Sequence, residues 1–138
     1  MKKNEIIRKI KSAKYFLTDV DGVLTDGGFY YNDTGKIFKK FGPHDSDGFK
    51  IIKSHGIDIF SITADKRGYP ITQKRLSDMG INISLVSESE RFGWASSKFN
   101  LNETIFVGDG YHDIPLIEKS LLGIAPANAP GALAGAIP

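Results

Sequence analysis

Two aspartates stand two residues apart where an apolar run gives way to glycine: Tyr15-Phe16-Leu17-Thr18 leads straight into Asp19-Val20-Asp21-Gly22. Extended side chains alternate faces, so Asp19 and Asp21 share a face for as long as the run stays extended. At the C-terminal end of a strand in an α/β sheet, that face opens into the crevice where ligands bind. Gly22 lets the backbone turn away at once and leaves both carboxylates at the mouth. Acids held this close repel each other unless a positive charge lies beside them, and clustered oxygens of this kind suit Mg²⁺. A surface turn would also use Asp and Gly. Asp-x-Asp-Gly could equally open a calcium loop, but the later acids of that loop are missing. The apolar run ahead of Asp19 and Val23-Leu24 behind it favour a pair of acids aimed by a strand.

A second acidic loop follows Thr104-Ile105-Phe106-Val107, reading Gly108-Asp109-Gly110-Tyr111-His112-Asp113. Asp109 and Asp113 are four apart and can face one pocket if a helix begins between them. A helix N-cap with a first-turn acid would also place Asp here. Two strand-ending acidic loops in one small domain together make an oxygen-rich site for Mg²⁺. Thr63 closes a third apolar run, Ser61-Ile62-Thr63. Its hydroxyl could meet a phosphate oxygen beside a helix N-terminus, although capping that helix is the simpler role on the residues alone.

The elements that must position these residues are legible as an alternation. Ile6, Ile7 and Ile10 recur at helical spacing and predict a short lead-in helix. Tyr15–Val20 is the first strand, and Gly28 to Phe41 reads as a β-hairpin around Asn32-Asp33-Thr34-Gly35. Helices are then expected at 47–55, 68–79, 88–99 and 114–120, alternating with strands at 57–63, 81–86, 104–107 and 123–125. Strands separated by single helices imply right-handed crossovers, hence an α/β, Rossmann-like parallel sheet with helices on both faces. The hairpin is its one insertion. No linker or repeat divides residues 1–138, which read as one domain.

Asp19-Val20-Asp21-Gly22-Val23-Leu24-Thr25-Asp26-Gly27 resembles the first motif of the haloacid dehalogenase (HAD) superfamily of phosphohydrolases. Within it the chain is similar to the small capless branch typified by 3-deoxy-manno-octulosonate 8-phosphate phosphatase, from about Tyr15 to the C-terminus. The resemblance implies a HAD-like hydrolase domain with no cap domain. Its activity would be that of an Mg²⁺-dependent phosphomonoesterase, acting on a small phosphorylated sugar or keto-sugar acid through an aspartyl-phosphate. Asp19 would be the nucleophile and Asp21 the general acid and base. Asp19, Asp109 and the Asp21 carbonyl would hold the metal, with Asp113 as the supporting acid. The resemblance makes Thr63 a phosphate-binding residue and places Arg91 where relatives carry a basic residue, usually lysine.

Several positions depart from that pattern. The family's Thr-Gly-Arg is Thr63-Ala64-Asp65 here, which leaves Lys66 and Arg67 as candidates for the missing cation. In the substrate loop, His44-Asp45-Ser46 replaces a commoner Arg-Asp-Gly, so His44 and Asp45 are candidate substrate contacts. Arg75 and Lys50 are further candidates for the same pocket. Relatives continue with another strand and a C-terminal helix, so the Ala/Pro/Gly-rich stretch from Ala125 to Pro138 reads either as a naturally short end or as one from which a tail is missing.

Composition closes off other classes. With no cysteine, the chain has no disulfide, thiolate catalysis or Cys-based metal site. A formal charge of +2 with scattered lysines gives no nucleic-acid footprint. No run reaches membrane-spanning length and no signal-peptide core follows Met1-Lys2-Lys3, so the expected location is cytoplasmic. Two rival readings remain. A receiver-like regulatory domain also clusters acids around Mg²⁺, but has no acid–base partner two residues beyond its phosphoacceptor. A catalytically weak HAD-like oligomerisation module would fit the altered Thr63-Ala64-Asp65 segment. Without a cap the site lies open unless neighbours close it, as in capless relatives that form tetramers. The aromatic hairpin at 28–41 is therefore expected to build a homo-oligomer, most simply a tetramer.

Overall fold

Three of the apolar runs that end in candidate site residues are adjacent strands of one sheet. The computed structural model describes residues 1–129. Along the chain, α1 (Lys3–Ser12) precedes β1 (Tyr15–Asp19), followed by a hairpin of β2 (Phe29–Asn32) and β3 (Gly35–Lys39). Helices and strands then alternate: α2 (Asp45–Ser54), β4 (Asp58–Thr63), α3 (Tyr69–Asp78), β5 (Asn82–Leu85), α4 (Arg91–Lys98), β6 (Thr104–Val107), α5 (Ile114–Lys119) and β7 (Leu122–Ile124). The main sheet runs β5-β4-β1-β6-β7, and every neighbouring pair is parallel.

Strand β1 lies at the centre, and its register sets the site. Asp19 stands opposite Ile62, and Thr18 opposite Val107, so the tips of β1, β4 and β6 end side by side. The chain leaves β1 toward β4 on one side and returns to β6 on the other, which makes this edge the switch point where ligands bind in open α/β sheets.

Alternation along the strands supplies two cores. On one face Leu17, Ile62 and Phe106 pack with Ala95 and Phe99 at α4 and with Leu116 and Ile117 of α5. On the other, Val20 and Ile59 pack with Phe49 of α2 and Leu76 of α3. Leu17, Ile62, Phe106, Leu76 and Leu116 are wholly buried, each worth roughly 1.5–3 kcal/mol relative to exposure. This scaffold holds the strand tips rigid.

Most expected elements are found within a few residues of the expected bounds. The helix expected from Glu88 opens instead as a 3₁₀ turn, Glu88–Glu90, and becomes α-helical only at Arg91. The helix expected from Asp47 already begins at Asp45. In the hairpin, Asn32 Oδ1 accepts the Thr34 N–H at 2.9 Å and Gly35 takes φ +121°, closing the turn. Its aromatic residues stay in solvent: Tyr30 and Phe38 are 66% and 65% exposed. Among the described residues no helix is long and apolar enough to cross a membrane. The expectation for the chain end falls largely on residues 130–138, outside the described residues.

Candidate active site

The β1 and β6 loops close on each other because glycines let them. Asp19 ends β1 with little exposure, and its Oδ1 accepts the Val20 N–H at 2.9 Å. The chain then turns at Gly22, with φ +85°, and Thr25 Oγ1 accepts the N–H groups of Gly22 and Gly27 at 3.2 and 3.1 Å. A Cβ on Gly22 would collide with the Asp109 carboxylate. On the β6 side, a Cβ on Gly108 would lie 2.6 Å from Asp113 Cγ. Asp113 thus folds back beneath the strand tip, fully buried, and its Oδ2 accepts the Gly110 N–H at 3.0 Å.

Arg91, the first residue of α4, enters the same space. It is 4% exposed, and its Nη1 lies 2.6 Å from Asp113 Oδ1 and 3.5 Å from Asp19 Oδ2. Its Nε is buried and has no hydrogen-bond partner among the described residues. Burial would pull the guanidinium pKa down, but Asp19 and Asp113 outweigh it and hold the value above the ordinary one.

Asp19, Asp109 and Asp113 bring carboxylate oxygens within 4.8 Å of one another, a group able to hold a metal ion. Three acids face one arginine, so the cluster carries excess negative charge. Burial pushes the Asp19 pKa well up; Arg91 opposes this, while Asp113 and a hydrogen bond with Asp109 add to it. An all-oxygen donor set whose buried member needs further positive charge to ionise fits a hard divalent cation.

Asp21 points elsewhere. Its side chain is about one-third exposed; Oδ1 lies 2.8 Å from Lys39 Nζ, and Oδ2 accepts from Thr63 Oγ1 at 3.4 Å. The buried Thr63 hydroxyl also accepts the Asp65 N–H at 3.1 Å. Asp65, where the resemblance leads one to expect arginine, holds two hairpin lysines. Its Oδ2 is 2.7 Å from Lys39 Nζ and 2.8 Å from Lys36 Nζ. Burial would raise the Asp65 pKa, but Lys36 and Lys39 override it and hold the value at about 2.

Lysines from β3 are the functional residues that sequence reasoning missed. The available signal was Asp65 itself: an acid next to a buried strand tip needs cations, and Lys36 to Lys40 is the nearest basic run after the first loop. The cations named from sequence lie elsewhere. Asp65 Oδ1 accepts the Gly68 N–H at 3.1 Å, and the turn this closes leaves Lys66 and Arg67 exposed, outside the cleft. Arg75 Nη2 donates to the Gly42 carbonyl at 3.1 Å, while His44 and Asp45 sit at the start of α2; none of these lines the cleft, nor does the exposed Lys50. The Asp21 carboxylate does not join the metal-binding cluster, because Lys39 and Thr63 take both its oxygens.

The cleft over the three acids and Arg91 measures ≈ 580 Å³, within the range of small-molecule sites. Lys36, Glu88, Tyr111 and His112 form its outer wall, with His112 Nε2 3.3 Å from Glu88.

No protein-family model matches the chain. It is 30% identical over 131 residues to the 3-deoxy-D-manno-octulosonate 8-phosphate phosphatase KdsC of Haemophilus influenzae, an alignment covering 89% of this chain and 70% of that protein. The chain belongs to the KdsC family of HAD-superfamily phosphatases. Its fold agrees with that family. A HAD-superfamily (subfamily III A) hydrolase from Legionella pneumophila superposes with a TM-score of 0.86 at 29% identity, covering 97% of this chain and 75% of that one. The KdsC-type phosphatase of Moraxella catarrhalis, solved with magnesium, phosphate and 3-deoxy-D-manno-octulosonate (KDO), gives 0.83 at 28% identity, with coverages of 96% and 78%.

Proposed function

We propose that this KdsC-family chain hydrolyses the phosphate monoester of a small keto-sugar acid, of the 3-deoxy-D-manno-octulosonate 8-phosphate type. The observation that carries this reading is the meeting of Asp19, Asp109 and Asp113 oxygens within 4.8 Å beside a buried arginine, at the mouth of a cleft large enough for a sugar phosphate. Asp19, Asp109 and Asp113 are the residues that would hold Mg²⁺, with the Asp21 carbonyl as a further ligand. Bound there, the ion would neutralise charge on the phosphoryl oxygens and favour the ionised Asp19.

Asp19 is the nucleophile. Its Oδ2, the oxygen not held by the Val20 N–H, attacks phosphorus in line with the departing sugar oxygen, forming an acyl phosphate on Asp19 as the ester P–O bond breaks. Asp21, at the same strand tip, gives its proton to the leaving alkoxide. It then takes a proton from the water that releases inorganic phosphate and restores Asp19. Arg91 lines the cleft and offers its positive charge to the phosphoryl oxygens while Nη1 keeps Asp113 in place. Thr63, buried behind the cleft wall, supports the cradle through its hydroxyl, which donates to Asp21 and accepts the Asp65 N–H.

The cytoplasmic setting and a homotetramer built through the hairpin belong to the same proposal. An open cleft and an aromatic hairpin left in solvent both support assembly. Phosphate release is tested with a panel of sugar phosphates weighted toward phosphorylated keto-sugar acids, with and without Mg²⁺. Turnover should be fastest on the keto-sugar acids, depend on Mg²⁺ and vanish in Asp19→Asn. Equal turnover by Asp19→Asn would refute the reading.

A further inference from the structure

Lys39 is the least exposed charged group on the hairpin, and it does not line the cleft. Its side chain is 1% exposed, and the ammonium has three acceptors: Asp21 Oδ1 at 2.8 Å, Asp65 Oδ2 at 2.7 Å and Thr72 Oγ1 at 3.0 Å. An ammonium has three protons to donate, so this head is saturated and has none left for a phosphate oxygen. Its partners come from three places in the fold, namely the β1 loop, the β4 loop and helix α3. Gly68 leaves the room that the Lys39–Asp65 pair occupies: a Cβ there would collide with Asp65 Oδ2 and lie 2.7 Å from Lys39 Cε and 2.9 Å from Nζ.

From this geometry we infer that Lys39 is a positioning residue that acts through Asp21, fixing the carboxylate that serves the leaving group. The inference rests on the phosphatase reading above. Asp21 lies two residues beyond the last residue of β1, next to a glycine with positive φ, and its side chain is one-third exposed. Apart from the long 3.4 Å contact to Thr63, only Lys39 restrains it among the described residues. Asp65 keeps the lysine in place, so the acid that stands in the arginine position serves Asp21 at one remove. The hairpin thereby belongs to its own subunit's chemistry, whatever its aromatic side meets.

The test separates steps by leaving group. An aryl phosphate such as p-nitrophenyl phosphate departs without a proton, whereas a sugar phosphate needs one, and a positioned acid is worth ~10²–10⁴-fold. First-turnover release of each leaving group is measured for wild type, Lys39→Met, Asp21→Asn and the double variant. Lys39→Met should lose on the order of 10–100 times more on the sugar phosphate than on the aryl phosphate, part of the acid's full effect. In the Asp21→Asn background it should cost nothing further, since both changes act through one group.

Gly68→Ala provides a second route, because it keeps every charge but crowds both the Lys39 head and the Asp65 carboxylate that holds it; the same selective loss is expected. Equal losses on both substrates, or losses that multiply with Asp21→Asn, would overturn the role. If wild type releases phosphate from neither substrate, the phosphatase reading falls and takes this inference with it. If wild type is active and the losses are equal, only the inference fails.

Discussion

Arg91 Nη1 and Asp113 Oδ1 are 2.6 Å apart, and neither residue is more than 4% exposed. Removing one partner of a buried pair strands the other charge, at a cost of about 3–5 kcal/mol. Arg91→Ala should therefore lower the melting temperature as well as weaken phosphate binding. Arg91→Lys keeps a charge without the planar fork and should fall between wild type and alanine in both. Thermal melts and KM values check this. An alanine variant that melts like wild type would mean that Asp113 finds another partner.

Asp19→Asn should abolish turnover without harming the fold. The buried Asp19 has its pKa raised well above the ordinary 3.8, mainly by burial. An acid raised in this way favours the folded state only while protonated. Its contribution is present below 3.8 and is lost as pH rises through the folded value. At neutral pH in EDTA the variant should melt at or above wild type. Calorimetry checks this, and a large loss of stability would show that Asp19 is already compensated without metal.

How far the sequence reads depends on the range of the interaction. The tips of β1 and β6 were legible because an apolar run beside glycine-flanked acids is a local pattern, complete within about ten residues. The start of α4 was misplaced because Glu88-Ser89-Glu90 is polar whether it forms a 3₁₀ turn or a helix. The Lys39–Asp21 and Lys39–Asp65 contacts could not be read, since they join segments brought together only by the docking of the hairpin. Lys66 and Arg67 looked suitable by adjacency, yet adjacency does not fix direction; the Asp65–Gly68 turn does.

Metal should stabilise the chain as well as activate it. An ion that binds the folded state at about 100 times its Kd adds about 2.7 kcal/mol. Titrating Mg²⁺ into EDTA-dialysed protein should raise its melting temperature. Asp109→Ala removes one of the three carboxylates and should move both the shift and the activation to higher metal concentration. Full activity in EDTA would exclude the three-acid cluster as a required metal site.

The Asp65 bridge should fail in acid. Lys36 and Lys39 depress its pKa from 3.8 to about 2 against the opposing effect of burial. A depressed acid contributes fully above its unfolded value, and that contribution is lost as pH falls through the folded one. Asp65→Asn should thus be less stable than wild type at neutral pH, with the gap narrowing between about pH 4 and 2. Denaturant melts at several pH values check this. A gap independent of pH would assign the loss to packing instead of charge.

The hairpin's outer face gives the prediction about assembly. Tyr30 and Phe38 stand directly opposite each other across β2 and β3 and are 66% and 65% exposed. Phe29 and Tyr31, in a tilted contact at 6.1 Å, are also largely in solvent. Fully burying one such ring is worth roughly 1.5–3 kcal/mol, and an exposed aromatic cluster of this kind marks an interaction site. Lys36 and Lys39 tie the same hairpin to its own active site, so the aromatic side is presented in a fixed orientation. Wild type should therefore be a homo-oligomer, most simply a tetramer. Tyr30→Ser with Phe38→Ser should dissociate it while each subunit keeps its melting cooperativity. Light scattering at micromolar concentration checks the assembly, and calorimetry the melting. A fully active wild-type monomer would show that the aromatic face has no part in assembly.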